Sequence, residues 1–426
     1  MSRPRFGGLV QNAAALIISG IGSGVIGLVF WAAATHLTTT QFVGRTSAEI
    51  AILTLLGALA QLSFGATFER FIPVAGDQTR RFVAGAYVLC AFVALLISAA
   101  YEMLGLGHNF IPPGFGWQLL FVVSVVLWTI FSLQDSVLVG LRATRWVPVE
   151  NILYSLAKLA LLPLFIAITA SQGIFVVWMF PVVFAIVAVN WYLFTRRIPQ
   201  HQLRSTWSEK LPSMRQLIAL SGARYAMILV NIATASITTL IVINRLGALA
   251  NAHYYIPAQI AGGATLVING ITRSFIVEAS SEPDNLGHYA RTTLRTTVAL
   301  LTPALIIGIV FAPQILDIFG SGYASHGATL LRMMLLALPA SAVTYFYSAF
   351  AWLDQRVWWF AIRETVSALM FFGVLLALLG HFGILAIGIA SLIESGIQGF
   401  FFLPILVRRY RVAVRGNVAP GSGASP

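Results

Sequence analysis

The residues of this sequence that could do chemistry are ionisable side chains set inside long apolar runs. Lys158 lies in the middle of "NILYSLAKLALLPLFIAI" (151–168). A Lys at the centre of a membrane helix costs about 2.5–3.5 kcal/mol on the insertion scale. Roughly ten residues on either side amount to ~15 Å at 1.5 Å per residue, so one side chain cannot reach water. Arg224 and Arg332 also interrupt apolar runs, Arg45 and Arg245 stand at the ends of others, and Glu49, Asp135 and Glu394 are the deep acids. Charges placed this way are functional hypotheses by default. Cations at depth suit an anionic ligand, because Arg grips phosphate with forked hydrogen bonds and Lys meets it as a point charge. Arg45, Lys158 and Arg224 are therefore expected to form an anion-binding surface, with Arg245 and Arg332 as weaker members. Glu49 and Glu394 are the acids best placed to carry a coupling H+ or Na+. A purely structural reading stands beside each. Lys158 could pair with Glu394 or Asp135, Arg45 could pair with Glu49 at i,i+4, and Arg332 could anchor an interface.

The elements that hold these charges are membrane spans. Of the 426 residues, 58% are hydrophobic and only 9% charged, against about 25% charged in soluble domains. A spanning helix needs about 20 apolar residues. The runs that qualify are 9–35, 42–72, 82–104, 117–141, 147–169, 174–194, 217–244, 252–277, 293–311, 328–353, 358–379 and 384–407, so an all-α polytopic protein with about twelve spans is expected. The N-terminus resembles a signal peptide, but its apolar stretch is too long for an h-region and reads as the first span. Of the 26 Lys and Arg, all fall on one set of loops and span ends except Arg45, Lys158, Arg224, Arg245 and Arg332. Opposite loops such as "GLGHNFIPPGFG", "GSGYASHG" and "GHFG" hold none. This asymmetry puts both termini in the cytoplasm and the protein in the cytoplasmic membrane. It also explains the net charge of +12 without nucleic acid. The polar linker "TRRIPQHQLRSTWSEKLPSMRQ" (195–216) divides the chain into bundles of six spans, 1–203 and 204–415, with 416–426 as a disordered tail. Parallel repeats are expected, and "ERFIPVAG" after the second span finds a faint echo in "RSFIVEAS" after the eighth. Pro163, Pro181, Pro257, Pro303, Pro339 and Pro404 fall inside spans as tolerated kinks. Gly20 and Gly24 read as close-packing positions.

Catalytic motifs do not occur. There is no GxxxxGK[ST] loop, HExxH, Gly-x-Ser-x-Gly elbow or Cys/His cluster. The one cysteine, Cys90, allows no disulfide framework within the chain. An enzyme acting on a polyprenyl phosphate would want clustered loop acids, and the loop acids Asp77, Glu209, Glu282 and Asp284 are sparse. Neither an enzyme nor a cofactor is expected.

Three stretches resemble the polysaccharide and oligosaccharide flippases (Wzx-like), in the superfamily that also holds multidrug exporters and lipid II flippases. They are "LTTTQFVGRTSAEIAILTLLGALAQLSFGATFERFIP", "DSVLVGLRATRWVPVENILYSLAKLALLP" and "FAPQILDIFGSGYASHGATLLRMMLLALP". The last is similar to the family's ninth-to-tenth span segment. The resemblance implies two six-helix bundles in a V-shaped, alternating-access transporter. It implies a cationic central cavity for the diphosphate-sugar head of a polyprenyl-linked glycan, with the lipid tail left among membrane lipids. Spans one, two, seven and eight would line that cavity, on or beside which fall Arg45, Arg224 and Arg245. A glycan polymerase or glycosyltransferases would be the partners. The rivals are a cation-coupled multidrug exporter, which would want an acidic cavity, and a lipid II flippase, which carries two more spans.

Overall fold

A computed structural model describes residues 6–169, 172–204, 214–353 and 357–416, and the side chains of 22–169, 172–203, 222–282, 284–353 and 358–414. Arg3, Arg5, most of the polar linker and the tail beyond Gly416 lie outside the described residues.

All the regular structure described is helical. The helices are α1 (Phe6–Leu37), α2 (Thr40–Ala60), α3 (Phe64–Phe71), α4 (Thr79–Met103), α5 (Phe115–Gly140), α6 (Trp146–Thr169), α7 (Gly173–Tyr192), α8 (Ile198–Arg204), α9 (Met214–Ser281), α10 (Leu286–Val310), α11 (Ala312–Asp317), α12 (Ser321–Leu353), α13 (Val357–Phe382) and α14 (Leu385–Gly416). Ten described helical stretches are long and apolar enough to cross a membrane. One of them, within α9, holds two spans across a break at Gly247 (φ 88°, ψ 174°), and the 32-residue α1 supplies another. All six intraspan prolines sit inside helices, as expected where neighbouring helices satisfy the freed carbonyl.

Two boundaries differ from the apolar runs. The second run is not one helix. Leu62 (φ 47°) and Ser63 (φ 71°) take left-handed backbone and split it into α2 and α3. The Phe64 N–H re-uses the Gln61 carbonyl at 2.8 Å, and the Cys90 thiol donates to the same oxygen at 3.6 Å. Between the seventh and eighth spans the expected loop shrinks to the single Gly247 bend, where φ of +88° is natural only for glycine.

The chain groups by contact into Met1–Tyr255 and Ile256–Pro426, a division that falls within α9 rather than at the polar linker. In the first unit, Phe64, Phe68, Ile72, Val83, Cys90, Leu133, Val137 and Leu193 close a core between α3, α4, α5 and the end of α7. In the second, Phe275, Ala290, Phe346, Phe350 and Ala413 do the same between α9, α10, α12 and α14. Close approach of backbones occurs at Gly44 and Gly140 in the first unit and at Gly287 in the second. Among the described residues nothing lies within 4 Å of where a Cβ on Gly24 would be. Gly20 lies outside the described side chains.

Candidate functional site

Lys158 is 4% exposed, and the rings of three helices enclose it. Its Nζ lies 3.7 Å from the Trp178 ring centroid on α7, 4.9 Å from Tyr154 one turn earlier on α6, and 5.2 Å from Phe30 on α1. Trp31 and Tyr255 extend the same aromatic cluster, and the Tyr154 hydroxyl ties it to the Trp178 carbonyl at 3.1 Å. A desolvated cation–π contact is worth about 2 kcal/mol, so a few such contacts match the insertion cost of the lysine. The alternative pairing with Asp135 is not present among the described residues. Asp135 accepts a hydrogen bond from Asn151. Glu394 accepts from Ser367 and Gln398.

Arg45 and Glu49 share α2 but do not pair. Arg45 points into the open, whereas Glu49 is 2% exposed, with no hydrogen-bond partner for either carboxylate oxygen among the described residues. Burying a carboxylate without a hydrogen-bond partner is costly, which sets apart Glu49, the one acid of α2. Arg45 has company from α9. Asn251 Nδ2 donates to the Gly44 carbonyl at 2.8 Å and to Ser47 Oγ at 3.0 Å, and Gly44 touches Ala248. The exposed Arg245 lies just before the Gly247 break, three residues ahead of Ala248 in the chain.

Arg224 lies elsewhere. It forms an ion pair with Glu69 of α3 at 2.7 Å, its side chain 46% exposed, while its neighbour Tyr225 donates to the Ala58 and Leu59 carbonyls. Twenty-one helical residues separate Arg224 from Arg245, which is about 30 Å. The first-unit cations therefore fall into three places rather than one cage. Arg332, in the second unit, donates from Nε to the Ile309 carbonyl at 2.9 Å, capping the end of α10.

Two polar networks were not legible as such. In the second unit, Arg363 bonds Glu364 and also Gln398 Oε1, the latter at 2.5 Å, and Gln398 Nε2 reaches Ser367 Oγ at 2.8 Å. In the first, Gln134, Asp135, Glu150, Asn151 and Asn190 join α5, α6 and α7. Glu150 was missed because it stands one turn into its span, where an acid reads as interfacial. No group of three or more His, Cys, Asp or Glu among the described residues could hold a metal ion.

No protein-family model matches the sequence, and no curated protein does. Solved structures do match. An inward-facing multidrug resistance MATE family transporter of the MOP superfamily superposes with a TM-score of 0.66 at 14% identity, over 95% of this chain and 100% of the other. The chain has the MATE transporter fold. An outward-facing MATE family transporter gives 0.59 at 12% identity, over 95% and 96%. A MOP superfamily transporter from Pyrococcus furiosus, described as having a binding pocket of reverse polarity that suggests a different function, gives 0.56 at 13%, over 95% and 96%. Of the deep or span-end cations without a carboxylate partner among the described residues, Arg45 and Arg245 are exposed, Arg332 is half-buried and Lys158 is buried among rings, whereas the acids Glu49, Asp135, Glu150 and Glu394 are buried or hydrogen-bonded.

Proposed function

We propose that this chain is a membrane transporter that moves a polyprenyl-diphosphate-linked oligosaccharide across the cytoplasmic membrane by alternating access, for polysaccharide or cell-envelope glycan synthesis. The observation that carries this reading is a pair of exposed arginines near a buried acid. At the junction of α2 with α9 the side chains offered outward are Arg45 and Arg245, while the acid on the same helix, Glu49, is turned into the protein. A diphosphate head finds donors there. With no nucleotide-binding motif, transport follows the substrate gradient or couples to H+ or Na+ through Glu49, which has no hydrogen-bond partner among the described residues, or Glu394, which sits in a hydrogen-bonded network.

Multidrug export is the second reading, favoured by the similar structures named for multidrug resistance. It would need an acid presented to an organic cation. The relative described by a reversed pocket polarity supports treating charge sign, rather than fold, as the discriminator.

A gene deletion followed by lipid extraction tests the two. Accumulation of an inward-facing lipid-linked oligosaccharide is expected, and its sugars separate this reading from lipid II. Unchanged lipid intermediates with lost efflux of cationic dyes would favour the exporter. A charge-assisted hydrogen bond contributes about 1.5–3 kcal/mol. The double substitution Arg45→Ala with Arg245→Ala is therefore expected to slow glycan export by about tenfold or more. Thermal stability should change little, since both residues are exposed and neither forms an ion pair within 4 Å among the described residues. Full export by that variant would remove the anion site from this junction.

A further inference from the structure

The first unit buries a polar cluster that this transport reading leaves without a role. Asn190 on α7 donates from Nδ2 to Gln134 Oε1 at 2.9 Å and to the Ile186 carbonyl at 3.0 Å. Gln134 on α5 donates in turn to Glu150 Oε1 on α6. Asn151, beside Glu150, donates to Asp135 Oδ2 at 3.1 Å and to the Val147 carbonyl at 3.0 Å. Tyr87 on α4 lies within electrostatic reach of both carboxylates. Gln134 is 0% exposed and Glu150 7%.

All three carboxamide nitrogens thus donate within the cluster, and what is left over is oxygen. Asp135 Oδ1, Glu150 Oε2, Asn190 Oδ1 and the Tyr87 hydroxyl are each buried with no hydrogen-bond partner among the described residues. No described Lys or Arg comes within 4 Å of either carboxylate. The second unit offers the contrast. Its network sits on the spans of matching order, α13 and α14, and carries its own cation. Arg363 bridges Glu364 and Gln398, and Gln398 in turn holds Glu394. The first-unit cluster has the acids and lacks the arginine.

We propose that the oxygens of Asp135, Glu150, Asn190 and Tyr87 bind a monovalent cation of the Na+ type. Two buried carboxylates without a counter-charge are costly. A proton on one carboxyl relieves charge but can satisfy only one leftover acceptor. A hard cation takes several oxygens at once. One Na+ together with one proton shared by the two carboxyls makes the cluster neutral. The site is separate from Glu49 and Glu394, and it does not depend on which solute the transporter carries.

Purified full-length protein in detergent, with no transport substrate added, provides the test. Radiolabelled Na+ binding and Tm are measured as NaCl replaces choline chloride at constant ionic strength. Saturable binding of one Na+ per chain and a Na+-dependent rise in Tm are expected. Glu150→Gln and Asp135→Asn should abolish both effects, whereas Glu282→Gln, at an exposed acid, should leave them intact. Asn151→Ala removes only a bond to the Asp135 oxygen that is not a ligand, so it should weaken Na+ by about 10–100-fold, as loss of a supporting hydrogen bond does at metal sites. If the carboxylate variants do not fold, Asn151→Ala and Asn190→Ala decide, and wild-type affinity in both overturns the proposal. So does the absence of saturable binding in the native protein, its loss in Glu49→Gln or Glu394→Gln instead, or a Tm that follows pH and ignores Na+. Failure of glycan export would bear on the substrate alone, because this binding is read without it.

Discussion

At the scale of the residue, Lys158 shows how far a sequence carries a charge and where it stops. Its depth in the membrane followed from the length of the apolar run on each side. Its environment did not, because Phe30 and Trp178 reach it from α1 and α7, and nothing in the spacing of α6 announces them. The rings change the expectation for its removal. A lysine stabilised by π faces should lose stability together with its rings and not independently of them. A double-mutant cycle of Lys158→Met with Trp178→Leu, read by thermal unfolding, is expected to show a coupling of about 1–2 kcal/mol, the range for a desolvated cation–π pair. Additive effects would mean that Trp178 contributes packing alone. The transport assay asks a second question of the same lysine. If Nζ also meets substrate, Lys158→Arg should keep part of the export and Lys158→Met none.

At the scale of the element, glycines of similar appearance in the sequence do opposite work. Gly24 lies in "SGIGSGVIG", which reads as a packing stripe, yet no described residue comes within 4 Å of where its Cβ would be. Gly44 lies in "FVGRT", which reads as a loop-to-helix start, yet a Cβ there would stand 1.8 Å from the Ala248 carbonyl oxygen of α9. The stripe was legible, but its partner was not, since contact depends on which face another helix covers. Similarly, the apolar length of α2 and α3 was legible as one span, while the left-handed break at Leu62 and Ser63 was not, for neither residue is a helix breaker. The two glycines give opposite predictions for one chemical change. Gly24→Ala should be neutral or stabilising by up to ~1 kcal/mol, from helix propensity. Gly44→Ala should destabilise by about 1–3 kcal/mol, the cost of overpacking, and disturb the Asn251 bond to the Gly44 carbonyl. Thermal unfolding of both variants checks this, and equal effects would dismiss the α2–α9 contact.

At the scale of the whole molecule, the halves expected on either side of the polar linker share more than a span count. "ERFIPVAG" closes α3 and "RSFIVEAS" lies at the end of α9, and a short 3-10 turn leads from each region into the next long helix, at Gly76–Gln78 and Pro283–Asn285. The apolar cores draw on spans two, three, four and six, with Val147 of span five, in one half and on spans eight, nine, ten and twelve in the other. The contact grouping nevertheless gives the seventh span to the first unit. Tyr225, Asn251 and the Gly44–Ala248 contact tie that part of α9 back to α2, which a polar linker cannot reveal. Parallel repeats of six spans require both halves to begin on the same side of the membrane, and the basic loops say which side. Each Arg or Lys at the membrane centre costs about 2.5–3.5 kcal/mol to insert, and cationic loops are retained in the cytoplasm. The loops around Ser321 and His381, which hold no Lys or Arg, should therefore face outward, and the turn at Ser280, between Arg273 and Arg291, inward. All three side chains are exposed, and the native Cys90 is buried, so a single introduced cysteine can report alone. A membrane-impermeant maleimide applied to intact cells should label Ser321→Cys and His381→Cys and spare Ser280→Cys until the membrane is opened. Labelling of Ser280→Cys from outside would invert the topology, and with it the side from which the proposed glycan enters.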